Sequence, residues 1–246
     1  MSEDFAVAVN GVELKCTTVG CGPAVVFLHA GGEKRSVWAP VAERIAPCGF
    51  RAISVDQRGH GETEGPVGES LDLYAGDLRA LLSWLDGPAQ LVGASLGGLA
   101  SVLALADSAT RARVTGLVLV DVVPDPEPTR ARAFLRRLEA DGSPSRAPQW
   151  GWTLVEDILS RSVELRQAVG ALRVPVTLVR GTASEALREE EAQRFRAVVG
   201  HVVLREVDGA GHLVARDRPA ELADALLEHF ARAPVGARHQ GGHALM

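Results

Sequence analysis

A repeated change of hydrophobic period restricts the fold of this chain more than any other feature. Short apolar, β-branched runs at positions 6–9, 13–19, 24–29, 51–56, 89–93, 114–121, 174–180 and 201–207 alternate with stretches of helical spacing. Several runs are unbroken, as in Ala24 to Leu28 (Ala-Val-Val-Phe-Leu) and Leu117 to Val120 (Leu-Val-Leu-Val). Unbroken runs suit central strands of a parallel sheet, because helices cover both faces and neither face needs polar residues. The first two runs are joined by Asn10-Gly11, a dipeptide that favours a tight antiparallel hairpin. The pattern therefore predicts a doubly wound α/β fold: an eight-stranded, mostly parallel sheet, helices on both faces and an antiparallel hairpin at one edge.

The helical stretches agree with that layout. Positions 71–85 place Tyr74, Leu78, Leu81, Leu82 and Leu85 on one face, with Ser70 before them as a candidate N-cap. Positions 219–230 carry Leu222, Leu226 and Phe230 on one stripe, and Pro219 suits a first helical turn. Between positions 122 and 173 the alternation fails, and prolines at 124, 126 and 128 stop any helix there. About 50 residues exceed an ordinary crossover connection. The chain is therefore read as a core of residues 1–122 and 172–232, a short helical cap of residues 123–171 after the sixth strand, and a Gly- and His-rich tail, 233–246, expected to be disordered.

Composition removes several classes of function. With 46% apolar and 23% charged residues, the chain has enough hydrophobic material for a packed core. A net charge of -5 disfavours nucleic acid as a partner, since no basic excess offsets phosphate repulsion. No apolar run has the length of a membrane span, and the acidic start of the chain lacks the order of a signal peptide. Cys16, Cys21 and Cys48 show no metal-ligand spacing and read as thiols of a reducing compartment, so the expected location is the cytoplasm. His239 and His243 lie in the tail without further ligands, and no nucleotide or zincin motif occurs; no metal and no cofactor are expected.

One motif carries chemistry. Leu91-Val-Gly93-Ala-Ser95-Leu-Gly97-Gly98 contains Gly-x-Ser-x-Gly between an apolar strand and an apolar helical run. A nucleophile on a sharp strand-to-helix turn needs small flanking residues, and the turn lifts its hydroxyl above the sheet edge. The helix N-terminus then points amides at developing negative charge. The plain alternative is a Gly-rich turn whose serine caps the helix.

Further motifs follow in order: His29-Ala-Gly31-Gly32 after the third strand, Asp56-Gln-Arg58-Gly-His60-Gly61 after the fourth, and Gly209-Ala-Gly211-His212 after the last. Together with the Ser95 elbow they make the chain resemble the α/β-hydrolase family, in its capped serine-nucleophile branch, over about residues 5–232. The resemblance implies the α/β-hydrolase fold, Ser95 as nucleophile and His212 as base. It implies an oxyanion hole of the Gly31 and Leu96 amides, and a triad acid in the loop after the seventh strand. That loop reads Arg180-Gly-Thr-Ala-Ser184-Glu185, which assigns the acid to Glu185, a departure from the aspartate usual there; Asp121, at the end of the sixth strand, is the alternative. Arg58 is read as pinning its own turn near the site. Of the seven histidines, only His212 combines the expected position with a Gly-rich loop. Candidate pocket residues are His29, Ala30, Trp38, Phe134, Trp150 and Trp152, with Leu135 and Leu154 beside them.

The function that follows is a cofactor-independent serine hydrolase, a carboxylic ester hydrolase. It would cleave a small-molecule ester, lactone or thioester through an acyl-enzyme, as a monomer or a homodimer. Serine at the elbow argues against epoxide hydrolase and dehalogenase chemistry, which uses a carboxylate nucleophile. A second reading keeps the pocket and changes the reaction: a carbon–carbon bond hydrolase, lyase, cyclase or haloperoxidase-like perhydrolase. A third is a binding protein that has lost turnover.

Overall fold

A computed structural model describes residues 2–140 and 151–232. Eight strands form one sheet: β1 (Ser2–Val9), β2 (Val12–Val19), β3 (Ala24–Leu28), β4 (Arg51–Val55), β5 (Ala89–Ala94), β6 (Val114–Val120), β7 (Val176–Gly181) and β8 (Val202–Val207). Their order is β1-β2-β4-β3-β5-β6-β7-β8. β2 is antiparallel to both its neighbours, and all the pairings from β4 to β8 are parallel. The hairpin turns where the sequence predicts it, with Asn10 and Gly11 both at positive φ (41° and 79°).

The helices are α1 (Ala39–Ile45), α2 (Leu71–Trp84), α3 (Leu96–Ala104), α4 (Ser108–Arg111), α5 (Pro128–Ala140), α6 (Trp152–Ser160), α7 (Ser162–Gly170), α8 (Glu189–Val198), α9 (Val214–Asp217) and α10 (Pro219–Phe230). Strand side chains alternate between two cores, as the pleat requires. On β3, Val26 and Leu28 join the core beneath α2, α3, α7 and α8, whereas Val25 and Phe27 join the one beneath α1, α9 and α10. β3, β5 and β7 are buried along their whole length, which is why their sequences carry no polar alternation. Ser70 caps α2 by accepting the Asp72 N–H at 3.1 Å.

The segment between β6 and β7 divides in two. α5 and α6 stand over the C-terminal ends of the strands and wall a cavity. α7 instead buries Leu165 and Val169 in the sheet core and packs on α3, as an ordinary crossover helix does. Among the described residues of 123–171, α5 and α6 thus overhang the sheet while α7 packs with the core. The expected break at 141–148, Trp150 and the tail from 233 onward lie outside the described residues. Among the described residues no helix is long and apolar enough to cross a membrane.

Two carboxylates anchor the overhang, Glu191 buried and Asp157 half-buried. Glu191, on the first turn of α8, accepts the Glu127 N–H at 3.0 Å and pairs with Arg130 at 2.8 Å, fixing the start of α5. Asp157 on α6 accepts the Leu71 N–H at 2.8 Å at the start of α2. Arg132 and Glu156 join α5 to α6 through two hydrogen bonds of 2.8 and 2.6 Å.

Candidate active site

Ser95 stands between β5 and α3 at φ 46° and ψ −113°, outside the regions open to an ordinary side chain. Packing imposes that strain. A Cβ on Gly93 would lie 2.5 Å from the Gly97 carbonyl oxygen, and one on Gly97 would lie 2.5 Å from the Leu28 carbonyl oxygen. Strand and helix therefore touch through backbone, and only glycine fits. Gly98 belongs to the same contact, since a Cβ there would meet Val122 at 2.7 Å; its place beside Gly97 was the available sequence signal. The Ser95 side chain makes no capping hydrogen bond to α3, so the plain reading as a helix cap does not hold. Leu96 opens α3, and its N–H is one of the first four that a helix leaves without an internal partner.

The next strand is followed at once by a second positive-φ residue, Asp121 at 51°. Its side chain is fully buried, and its carboxylate is surrounded by donors. Oδ1 accepts the Gly181 N–H at 3.0 Å, and Oδ2 accepts the Ser184 hydroxyl. The third partner is His212, whose Nδ1 lies 2.8 Å from Oδ2. A carboxylate at Nδ1 selects the tautomer that leaves Nε2 free to accept a proton. Phe134 packs edge-on against the imidazole, with ring centroids 5.0 Å apart.

This geometry corrects the assignment of the acid. Glu185 is solvent-exposed and pairs with Arg137 at 3.0 Å, whereas the alternative, Asp121, meets His212. The end of β7 and the loop after it contribute Gly181 and Ser184, which hold the carboxylate, and not the carboxylate itself.

Ser95, His212 and Asp121 line one cavity of about 370 Å³, together with Ala30, Gly31, Leu96, Phe134, Leu135 and Leu154. Three other pocket candidates do not reach it. Trp38 is fully buried against Phe27, with ring centroids 5.0 Å apart, and fills the core beside α1. Trp152 is half-buried and donates through Nε1 to Glu139 at 3.3 Å. His29 lies fully buried beneath the loop, where Nε2 accepts the Gln57 N–H at 3.1 Å and Nδ1 faces the Ala30 carbonyl at 2.8 Å. Burial, reinforced by neighbouring His60, pushes His29 down to about 3, so it stays neutral and structural. Arg58 pins its turn by a bidentate pair with buried Asp77, at 2.7 and 2.6 Å. Among the described residues no cluster of three or more His, Cys, Asp or Glu side chains is arranged to hold a metal.

With this geometry in view, the comparison with known proteins is direct: residues 25–225 match the alpha/beta hydrolase family. The chain belongs to that family. As an alpha/beta hydrolase it is 32% identical over 176 residues to 2-(acetamidomethylene)succinate hydrolase of Mesorhizobium japonicum, covering 71% of this chain and 58% of that protein. It is 38% identical over 99 residues to an epoxide hydrolase of Caballeronia sordidicola, covering 39% of this chain and 30% of the other. The matches thus span about a third to just over half the length of these relatives. The crystal structure of E-2-(acetamidomethylene)succinate hydrolase shares the alpha/beta hydrolase fold, with a TM-score of 0.79 at 24% identity over 94% of this chain and 100% of that one.

Proposed function

We propose that the protein is a cofactor-independent serine hydrolase that cleaves a small-molecule ester, lactone or thioester through an acyl-enzyme. One observation carries this reading: the buried Asp121 carboxylate sits 2.8 Å from His212 Nδ1, in a cavity that the uncapped Ser95 hydroxyl also lines. Ser95 Oγ attacks the carbonyl carbon while His212 Nε2 takes its proton. Asp121 holds the ring and stabilises the imidazolium that forms. The Gly31 and Leu96 amides, both at the cavity, donate to the oxygen that gains charge. Collapse of the tetrahedral adduct expels the leaving group, which takes the proton from His212. Water then attacks the acyl-enzyme with the same histidine as base, and Ser95 is restored.

The likeness to an epoxide hydrolase does not carry that reaction over, because serine occupies the elbow where epoxide opening uses a carboxylate. Nor do the apolar walls of the cavity favour an acidic substrate of the kind named for the succinate hydrolase relative.

The test is intact-mass analysis after treatment with a fluorophosphonate. Wild type should gain one adduct, Ser95→Ala none, and His212→Ala the same adduct much more slowly. Folded wild type that stays unlabelled would overturn the proposal.

A further inference from the structure

The cavity has charged groups at its rim and hydrocarbon beyond them. Its apolar lining includes Leu99 on α3, Phe134 and Leu135 on α5, Leu154 and Ile158 on α6, and Leu187 before α8. At the rim, Arg216 Nη2 donates to Glu33 Oε1 at 2.6 Å. The Glu33 side chain is only 10% exposed, and its partner Arg216, 46% exposed, carries the pair out toward solvent. Among the described lining residues Arg216 is the only lysine or arginine. The other two lining carboxylates are engaged elsewhere: Asp121 with His212, and Asp217 with the Gly211 N–H at 2.8 Å. A substrate carboxylate would meet the Glu33 charge, find the charge of Arg216 already offset by it, and lose its hydration against apolar walls.

We propose that the cavity binds an uncharged hydrocarbon group and that Glu33 sets this specificity by neutralising Arg216. This assignment rests on the serine-hydrolase reading above for its kinetic test. A cavity of about 150 Å³ holds a benzene ring, so this one has room for on the order of fifteen heavy atoms, the reacting carbonyl included. Each methylene buried before the space is full should raise kcat/KM about fourfold.

The experiment compares 4-nitrophenyl acetate, butyrate, pentanoate, hexanoate and octanoate with mono(4-nitrophenyl) glutarate, the acidic counterpart of the pentanoate. Wild type should climb along the neutral series and prefer pentanoate to glutarate by at least about tenfold. Glu33→Gln frees Arg216 and should shift that ratio toward glutarate by about tenfold. Adding Arg216→Gln to it should remove the gain, which separates a freed cation from a merely deleted negative charge. Should Glu33→Gln fail to fold, Arg216→Gln alone should widen the preference for pentanoate. A flat chain-length profile, equal handling of the matched pair by wild type, or an unchanged ratio in Glu33→Gln would overturn the proposal. Calorimetry of the same two esters on Ser95→Ala reads the cavity without turnover. Preferential binding of pentanoate there, with no fluorophosphonate adduct on wild type, would sink the serine-hydrolase reading and uphold the specificity. An adduct without that preference would do the reverse.

Discussion

At the scale of single residues, the carboxylate that serves His212 separates two variants that composition treats alike. Asp121→Asn keeps the shape of the side chain but favours the wrong imidazole tautomer. It should lower kcat on 4-nitrophenyl hexanoate on the order of 10³- to 10⁴-fold. Glu185→Gln removes only an exposed pair with Arg137 and should leave kcat within about twofold. Stopped assays on the two purified variants check both outcomes, and a collapse in Glu185→Gln would refute the assignment. Motif position pointed to Glu185 because the loop after β7 reads as expected up to Ser184. Which strand end lies nearer the imidazole depends on sheet order and on the positive φ of Asp121, and neither is written in a one-dimensional pattern. Ser95 stood out because Gly93 and Gly97 permit the close backbone contact at its turn, and His212 because it follows a glycine-rich turn in which Gly209 takes a positive φ. Trp38 and Trp152 misled because a large aromatic ring signals burial without saying what it is buried against.

At the scale of elements, the contacts of α3 with β5 and β3 leave no room for a methyl group. Gly97→Ala would drive a Cβ into the Leu28 carbonyl and should cost about 3 kcal/mol, read as a lower urea midpoint. The overhang depends on Glu191, which is buried and holds the start of α5 through Arg130 and the Glu127 amide. Glu191→Ala leaves that arginine without its partner and should cost about 3 kcal/mol. Amide exchange along α5 should accelerate, while α3 remains protected until global unfolding. All eight strands and the helices α2 and α10 were readable, since their apolar periods are long and unambiguous. The division of residues 123–171 was not. Leu165 and Val169 announce an apolar face on α7, but only the three-dimensional layout shows that α3 covers it.

For the whole molecule, acid acts through histidines that the fold keeps neutral. Burial pushes His229 down to about 4 and His29 to about 3, whereas the unfolded chain protonates both near 6.5. From pH 6.5 downward the unfolded state therefore binds more protons, and stability falls with pH until the folded-state values are reached. Each group contributes about 1.4 kcal/mol per pH unit across that window. Urea titrations between pH 6.5 and 5 should show the slope fall by about that amount in His229→Gln; an unchanged slope would mean that His229 is already charged in the native protein. The placement of Asp121 has another consequence at this scale. Asp121 comes immediately after β6, as the chain leaves the sheet, and His212 comes long after it returns, so α5 and α6 themselves lie in one uninterrupted stretch between the two. Recombination with break points after Pro124 and before Ser162 would exchange that wall as a single cassette. The donor would supply partners for Glu191 and for Arg166 on α7 at one end and for the start of α2 at the other, and new substrate ranges would be inherited without any change to the reacting groups.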